Sequence, residues 1–134
     1  MEDPVWISKE VVLALHERQL AEHGGATGVR DAALLESALA RPQQLWTYGQ
    51  PPPDLCALAA AYAFGLAKNH AFFDGNKRTA FVVYRLFLLR NGIAMTATKE
   101  DRYLSMWHLA SGEHTEDSFA QWLREHTAPI QAGA

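Results

Sequence analysis

Between residues 70 and 79 the chain reads His-Ala-Phe-Phe-Asp-Gly-Asn-Lys-Arg-Thr, placing an imidazole, a carboxylate, a glycine, an amide and two adjacent cations in one short stretch. Asp74-Gly75-Asn76 leads directly into an apolar segment, which predicts a helix from Asn76 to Arg90. The first amides of that helix, from about Gly75 to Arg78, then point unpaired toward the loop. A helix N-terminus carries roughly half a positive charge and attracts anions. Gly75 lets the backbone turn tightly and approach a ligand. The helix dipole repels cations at this end, yet Lys77 and Arg78 occupy the first turn. Cations set against a dipole point to a strongly anionic ligand such as a polyphosphate. Arg78 offers a bidentate fork for phosphate and Lys77 a mobile point charge. Asp74 suits a hard cation, because Mg²⁺ is held by carboxylates together with substrate phosphates. His70, at the end of the preceding helix, is the residue type most used as a general base toward an attacking hydroxyl. At least one of Phe72 and Phe73 serves to plug the loop into the core. Taken singly, Asp74 or Asn76 reads as a helix N-cap and His70 as an ordinary histidine. Their combination points to phosphate chemistry.

The elements that must position this stretch are legible on either side. Leu55 to Ala67 carries no charge, and Ala80 to Leu89 carries only Arg85. Asp54 caps the first of these as a helix to about Lys68, and Asn91-Gly92 closes the second after Arg90. Nearer the N-terminus, Ser8 opens a helix with Val11, Val12, Leu15 and Leu20 at helical spacing, ended by Gly24-Gly25. His16 and His23 on that helix lack a third ligand and read as surface histidines. Asp31 caps a helix from Ala32 to Ala40 that Arg41-Pro42 is expected to stop, and Arg30 reads as a solvated charge. Gln43 to Pro53 is expected to be irregular. Trp46 and Tyr48 there suit either core plugs or a semi-rigid flap stiffened by Pro51-Pro52-Pro53. Ile93 to Ala97 is short enough to be a strand or an extended link. Thr98 opens a helix through Ala110, and Thr115 opens a last one that turns Phe119, Trp122 and Leu123 inward. The tail from Ala128-Pro129 through Ala134 is expected to fray. The fold expected is all-α: a compact six-helix bundle around two central apolar helices, with at most one short strand, in a single domain over residues 1–134.

Bulk properties narrow the function. A net charge of −3 disfavours a dedicated nucleic-acid binder, and with it an RNA-cleaving role. Cys56 is the single cysteine and lies in an apolar run, which suits a buried thiol and a reducing compartment. Met1-Glu2-Asp3-Pro4 lacks the basic start of a secretory signal, and the uncharged run is shorter than the roughly 20 residues that span a bilayer. A cytoplasmic protein is expected.

The stretch His70-Ala-Phe-Phe-Asp74-Gly75-Asn76-Lys77-Arg78 resembles the signature of the Fic/Doc superfamily, HxFx(D/E)GNxR, in the form of the Doc (death-on-curing) toxins. That form carries lysine where other Fic proteins have a second glycine. Gly28-Val29-Arg30-Asp31, Leu34 to Leu39, Arg41-Pro42, Thr79-Ala80 and Leu88 to Gly92 are similar to further blocks of the same family. The resemblance implies the all-α Fic fold and transfer of a phosphate-containing group from a nucleotide to a protein hydroxyl. By position, His70 would be the general base and Asp74 the Mg²⁺ ligand. Gly75, Asn76 and Lys77 would form the anion nest and Arg78 the phosphate clamp. Lys68 stands where the Doc toxin has an arginine, which implies a phosphate role for it. Phe81 stands where the longer Fic motif has an arginine, and Arg85, one turn on, is the available substitute. Most Fic proteins transfer AMP, whereas Doc-type toxins are protein kinases that phosphorylate a threonine of elongation factor Tu and stop translation. The resemblance therefore implies an ATP- and Mg²⁺-dependent toxin kinase. AMP transfer on the same scaffold and a catalytically idle partner-binding module are the alternatives. The self-inhibitory (S/T)xxxE(G/N) motif has only a poor match at Thr96 to Asp101, so inhibition by a Phd-like antitoxin peptide in trans is expected. In this family the Gln43–Pro53 stretch falls where a target-positioning flap lies.

Overall fold

Five of the six helices begin with a side chain that takes up one of the first free amides, and these caps set most of the chain's punctuation. The computed structural model describes residues 2–131. In α1 (Lys9–His23), Ser8 accepts from the Val11 amide; in α2 (Ala32–Tyr48), Asp31 accepts from Leu34; in α3 (Leu55–Lys68), Asp54 accepts from Ala57. After α4 (Asn76–Arg90) come α5 (Lys99–Ser111), capped by Thr98, and α6 (Glu116–Glu125), capped by Thr115. Each cap satisfies a donor that would otherwise face solvent or core unpaired. All five were identifiable from residue type and local spacing. The result is the expected all-α bundle of six helices.

The core forms around α3, whose residues Leu58 to Ala63 are all buried. It packs against α2, α4 and α6. Small residues allow the close approach: a Cβ at Gly65 would stand 3.2 Å from the Ala38 Cα on α2. The inward face of α4 contributes Thr79, Ala80, Val83, Tyr84, Phe87 and Leu88, and α6 contributes Phe119 and Leu123. Tyr62 and Phe87 pack with ring centroids 5.1 Å apart, and the Tyr62 hydroxyl accepts from the Ile7 amide at 3.0 Å. α3 and α4 thus make a rigid antechamber for the loop that joins them. Cys56 is buried and unpaired. Among the described residues no helix is long and apolar enough to cross a membrane.

Two expectations need correction. Pro42 does not stop α2, which continues to Tyr48 with the proline ring inside it and buried. A proline inside a helix removes one internal hydrogen bond and crowds the carbonyl of the preceding turn, a loss of about 3 kcal/mol. Here the following turn seats Leu45 and Trp46 against the core, and tertiary burial outweighs that loss. Irregular backbone is thereby reduced to the Gly49–Pro53 end of the stretch; Trp46 is a core plug and Tyr48 is exposed. The second correction concerns the tail. Ile93–Met95 is a strand (β1), but Thr127–Pro129 is a second one (β2), paired antiparallel with Ile93 opposite Pro129 and Met95 opposite Thr127. The Thr96 amide donates to His126 O at 2.7 Å and Ile130 to Gly92 O at 2.8 Å. The tail up to Ile130 is therefore fastened rather than frayed, by a partner far off in sequence; residues 132–134 lie outside those described.

Candidate active site

The loop from Asn69 to Gly75 is held from three sides. Residues 28–31 run beside it: Val29 bridges to Phe72, and the amides of Arg30 and Asp31 both donate to Ala71 O, at 2.7 and 3.1 Å. The Arg30 guanidinium donates through Nε to His70 O at 2.7 Å. Arg30 is exposed, as its sequence neighbours suggested, and is in addition a strap on the loop. From inside, Asn76 folds its amide back on Phe72, accepting from the Phe72 amide and donating to its carbonyl, both at 3.0 Å. Phe72 is the plug, fully buried, while Phe73 is 60% exposed. From below comes His16 of α1. It is buried, stacks on Phe72 with centroids 3.7 Å apart and donates through Nε2 to Asp74 O at 2.8 Å. The expectation of a surface histidine is therefore overturned. His16 is a strut, 58 residues before the carbonyl it holds, and no local signal could have shown it.

Strapped this way, the loop presents its chemistry outward. His70 is exposed with φ of 52°, a left-handed conformation that a non-glycine residue adopts only when its surroundings impose it. Asp74 is exposed too, and its Oδ1 accepts from the Gly75 amide at 2.8 Å. Gly25 packs beneath this carboxylate: a Cβ there would lie 2.7 Å from Asp74 Oδ2. Gly75, at φ of 75°, is the N-cap of α4 and brings no side-chain cap. The amides of Asn76, Lys77 and Arg78 are therefore left facing the loop, with the Gly75 amide already engaged by Asp74.

The cations at this helix start differ in setting. Arg78 is exposed and joins no ion pair among the described residues. Lys77 is half-buried, with its Nζ 3.4 Å above the ring of Trp107 on α5. Partial burial, then the neighbouring Arg78 charge, push the Lys77 ammonium down from its ordinary value. An aromatic face holds a cation without neutralising it. Trp107 was not identified in the sequence, where it lies thirty residues beyond Lys77 with nothing to link the two.

The two remaining candidates lie elsewhere. Lys68 donates to Ala110 O at 3.1 Å, beside a cavity of about 500 Å³ lined by Arg41, Phe64 and residues 112 and 114–117, and by none of residues 70–79. Arg85 lies over Phe81, 5.0 Å from its ring centroid, in another cavity that the loop does not line. His70, Asp74, Gly75, Asn76, Lys77 and Arg78 lie together on the loop and the first turn of α4, and they do not line the cavities beside Lys68 and Arg85. No group of three or more His, Cys, Asp or Glu side chains among the described residues makes a cage for a metal. The exposed Asp74 carboxylate beside an uncapped helix start instead fits Mg²⁺ arriving with nucleotide phosphates, the usual way that ion is bound.

The chain is similar to known proteins over most of its length. Residues 6–88, more than half of the chain, match the model of the Fic/DOC family. A protein of Escherichia phage P1 called protein kinase doc is 36% identical over 118 residues, which cover 88% of this chain and 92% of the relative. A protein of Mycolicibacterium smegmatis called toxin Doc is 41% identical over 113 residues, 82% of this chain and 86% of the relative.

Proposed function

This chain belongs to the Fic/DOC family, and from that premise we propose that it is a toxin that transfers the γ-phosphate of ATP to a threonine of elongation factor Tu, halting translation in the cytoplasm. The observation that carries this reading is the start of α4: an uncapped helix end bearing Lys77 and Arg78, with His70 strapped at its lip. In the reaction, the amides of Asn76, Lys77 and Arg78 hold the phosphate oxygens. Arg78 clamps them through its fork, and Lys77 leaves the Trp107 face to add its charge. His70, exposed at the rim, takes the proton of the attacking hydroxyl as its oxygen bonds to the γ-phosphorus, while the bond from that phosphorus to the β,γ-bridging oxygen breaks and ADP leaves. Asp74 would hold Mg²⁺, which when bound offsets charge on the phosphates. The name borne by the Mycolicibacterium smegmatis relative supports the toxin assignment, and that of the phage protein supports the kinase. A toxin of this kind requires a partner that restrains it, and we assign that role to an antitoxin peptide of the Phd type acting in trans, within a type II toxin–antitoxin system.

AMP transfer is the second reading, since a phosphate nest does not by itself dictate which phosphorus is attacked. Incubation with elongation factor Tu and ATP labelled at either the α or the γ phosphorus separates the two. The γ label alone is expected on the factor; retention of only the α label would replace the kinase by an AMP transferase. His70→Ala tests for an idle binding module: growth arrest as strong as with the unaltered protein would remove His70 from the chemistry.

A further inference from the structure

Further along the same two helices, α4 and α5 enclose a cavity of about 340 Å³ lined by Phe81, Arg85, Lys99, Arg102 and Tyr103. Three of these five side chains are cations and none is a carboxylate. Arg85 Nε is shut off from solvent and has no hydrogen-bond partner among the described residues. A buried donor on a charged group is rarely left unpaired. Arg102 spends only its Nε, on Ala97 O at 2.9 Å, which leaves the rest of its fork available. The acids nearest in sequence, Glu100 and Asp101, are exposed, and neither pairs with these cations among the described residues. Burial, reinforced by the Arg102 charge, pushes the Arg85 guanidinium down from its ordinary value, so the two cations meet uncompensated.

Two aromatic rings complete the cavity. Phe81 faces the Arg85 guanidinium, and Tyr103 is 64% exposed at the opening. The volume lies at the small end of the range for organic-ligand sites, which combine apolar walls with a few convergent polar groups. We propose that this cavity is a second anion site that takes a small organic phosphate, its oxyanion held by Arg85, Arg102 and Lys99 and its ring between Phe81 and Tyr103. The site is independent of the transfer reaction: none of residues 70–79 lines it.

The test uses the full chain, phenyl phosphate and inorganic phosphate as probes, and the ¹⁵N–¹H signals of the arginine Nε–H groups. Phenyl phosphate is expected to shift the Arg85 Nε–H signal saturably. It should bind more tightly than inorganic phosphate, because only it can use the two rings. Arg85→Met should weaken binding by about tenfold or more and Lys99→Ala by a few-fold, whereas Arg78→Ala should leave this affinity unchanged. An Arg85 Nε–H signal that does not move while the amides of residues 76–78 do would overturn the site. Equal affinity for the two probes would overturn its organic character. If Arg85→Met does not fold, Lys99→Ala decides alone: Lys99 is exposed, and an unchanged affinity in that variant rejects the proposal.

Discussion

The starts of α4 and α6 are built on opposite principles. At α6, Thr115 and Ser118 close a reciprocal capping box, and Glu116 and Asp117 complement the dipole of the first turn. At α4 the cap is a left-handed glycine without a side chain, and the first turn carries Lys77 and Arg78 against the dipole. One end is satisfied by its own residues; the other is left wanting an anion. The difference separates a helix start closed by its own side chains from one that the proposed function leaves open for a ligand, and the surrounding straps from Arg30, Asn76 and His16 hold the second kind in shape.

Mutations that act on one end and not the other test this contrast. The largest effect is expected from His70→Ala, which should lower phosphate transfer by about 10²- to 10⁴-fold while leaving Tm unchanged, because the side chain is exposed. Loss of both activity and Tm would mean that His70 serves the fold. Next, Arg78→Gln should cost roughly ten- to a hundredfold in transfer yet raise stability by a few tenths of a kcal/mol, since it removes a cation from the wrong end of a dipole. Denaturant titration beside the label assay reads both signs. Gly75→Ala should destabilise by about 1–2 kcal/mol, the cost of a side chain in left-handed backbone, with Leu20 already 3.4 Å from the added Cβ. At the other end, Thr115→Ala should cost about 1 kcal/mol of stability and leave transfer per folded molecule untouched. The smallest effect concerns the start of α3, where hydrogen bonding from Arg124 holds the Asp54 carboxyl below its usual range. A depressed carboxylate stabilises the fold above its unfolded pKa of about 3.9, and that contribution disappears as pH falls through the lower folded value. Arg124→Gln should therefore be less stable than the parent by under about 1 kcal/mol at neutral pH, the pair being half-exposed, and equal to it in strong acid. Thermal melts across pH show whether the two curves converge.

What was legible in the sequence was local. Ser8, Asp31, Asp54, Thr98 and Thr115 each bond an amide three residues on, so residue type and spacing suffice to find them. The motif from His70 to Arg78 is equally contiguous. Everything that supports it arrives from a distance: His16 from α1, Arg30 from the turn before α2, and Trp107 from α5. A histidine on an amphipathic helix looks the same whether it faces water or a buried phenylalanine ring. Pro42 and Thr127–Pro129 likewise depend on partners distant in sequence or on the packed core. Proline chemistry argues for a break, and only the burial of Leu45 and Trp46 reverses it; β2 exists only because β1 offers it an edge. Lys68 likewise meets a distant partner, donating to Ala110 O at the end of α5.

The placement of Lys77 over Trp107 has one more consequence. An indole under an ammonium emits differently from one left bare, so this pair is an optical sensor already written into the chain. On the proposed function the lysine leaves for a phosphate, and the emission of Trp107 should then change; Trp6, Trp46 and Trp122 pack against the core instead and supply the background. The proposed nucleotide binding should therefore be visible in stopped flow without any label, and Trp107→Phe should silence the signal.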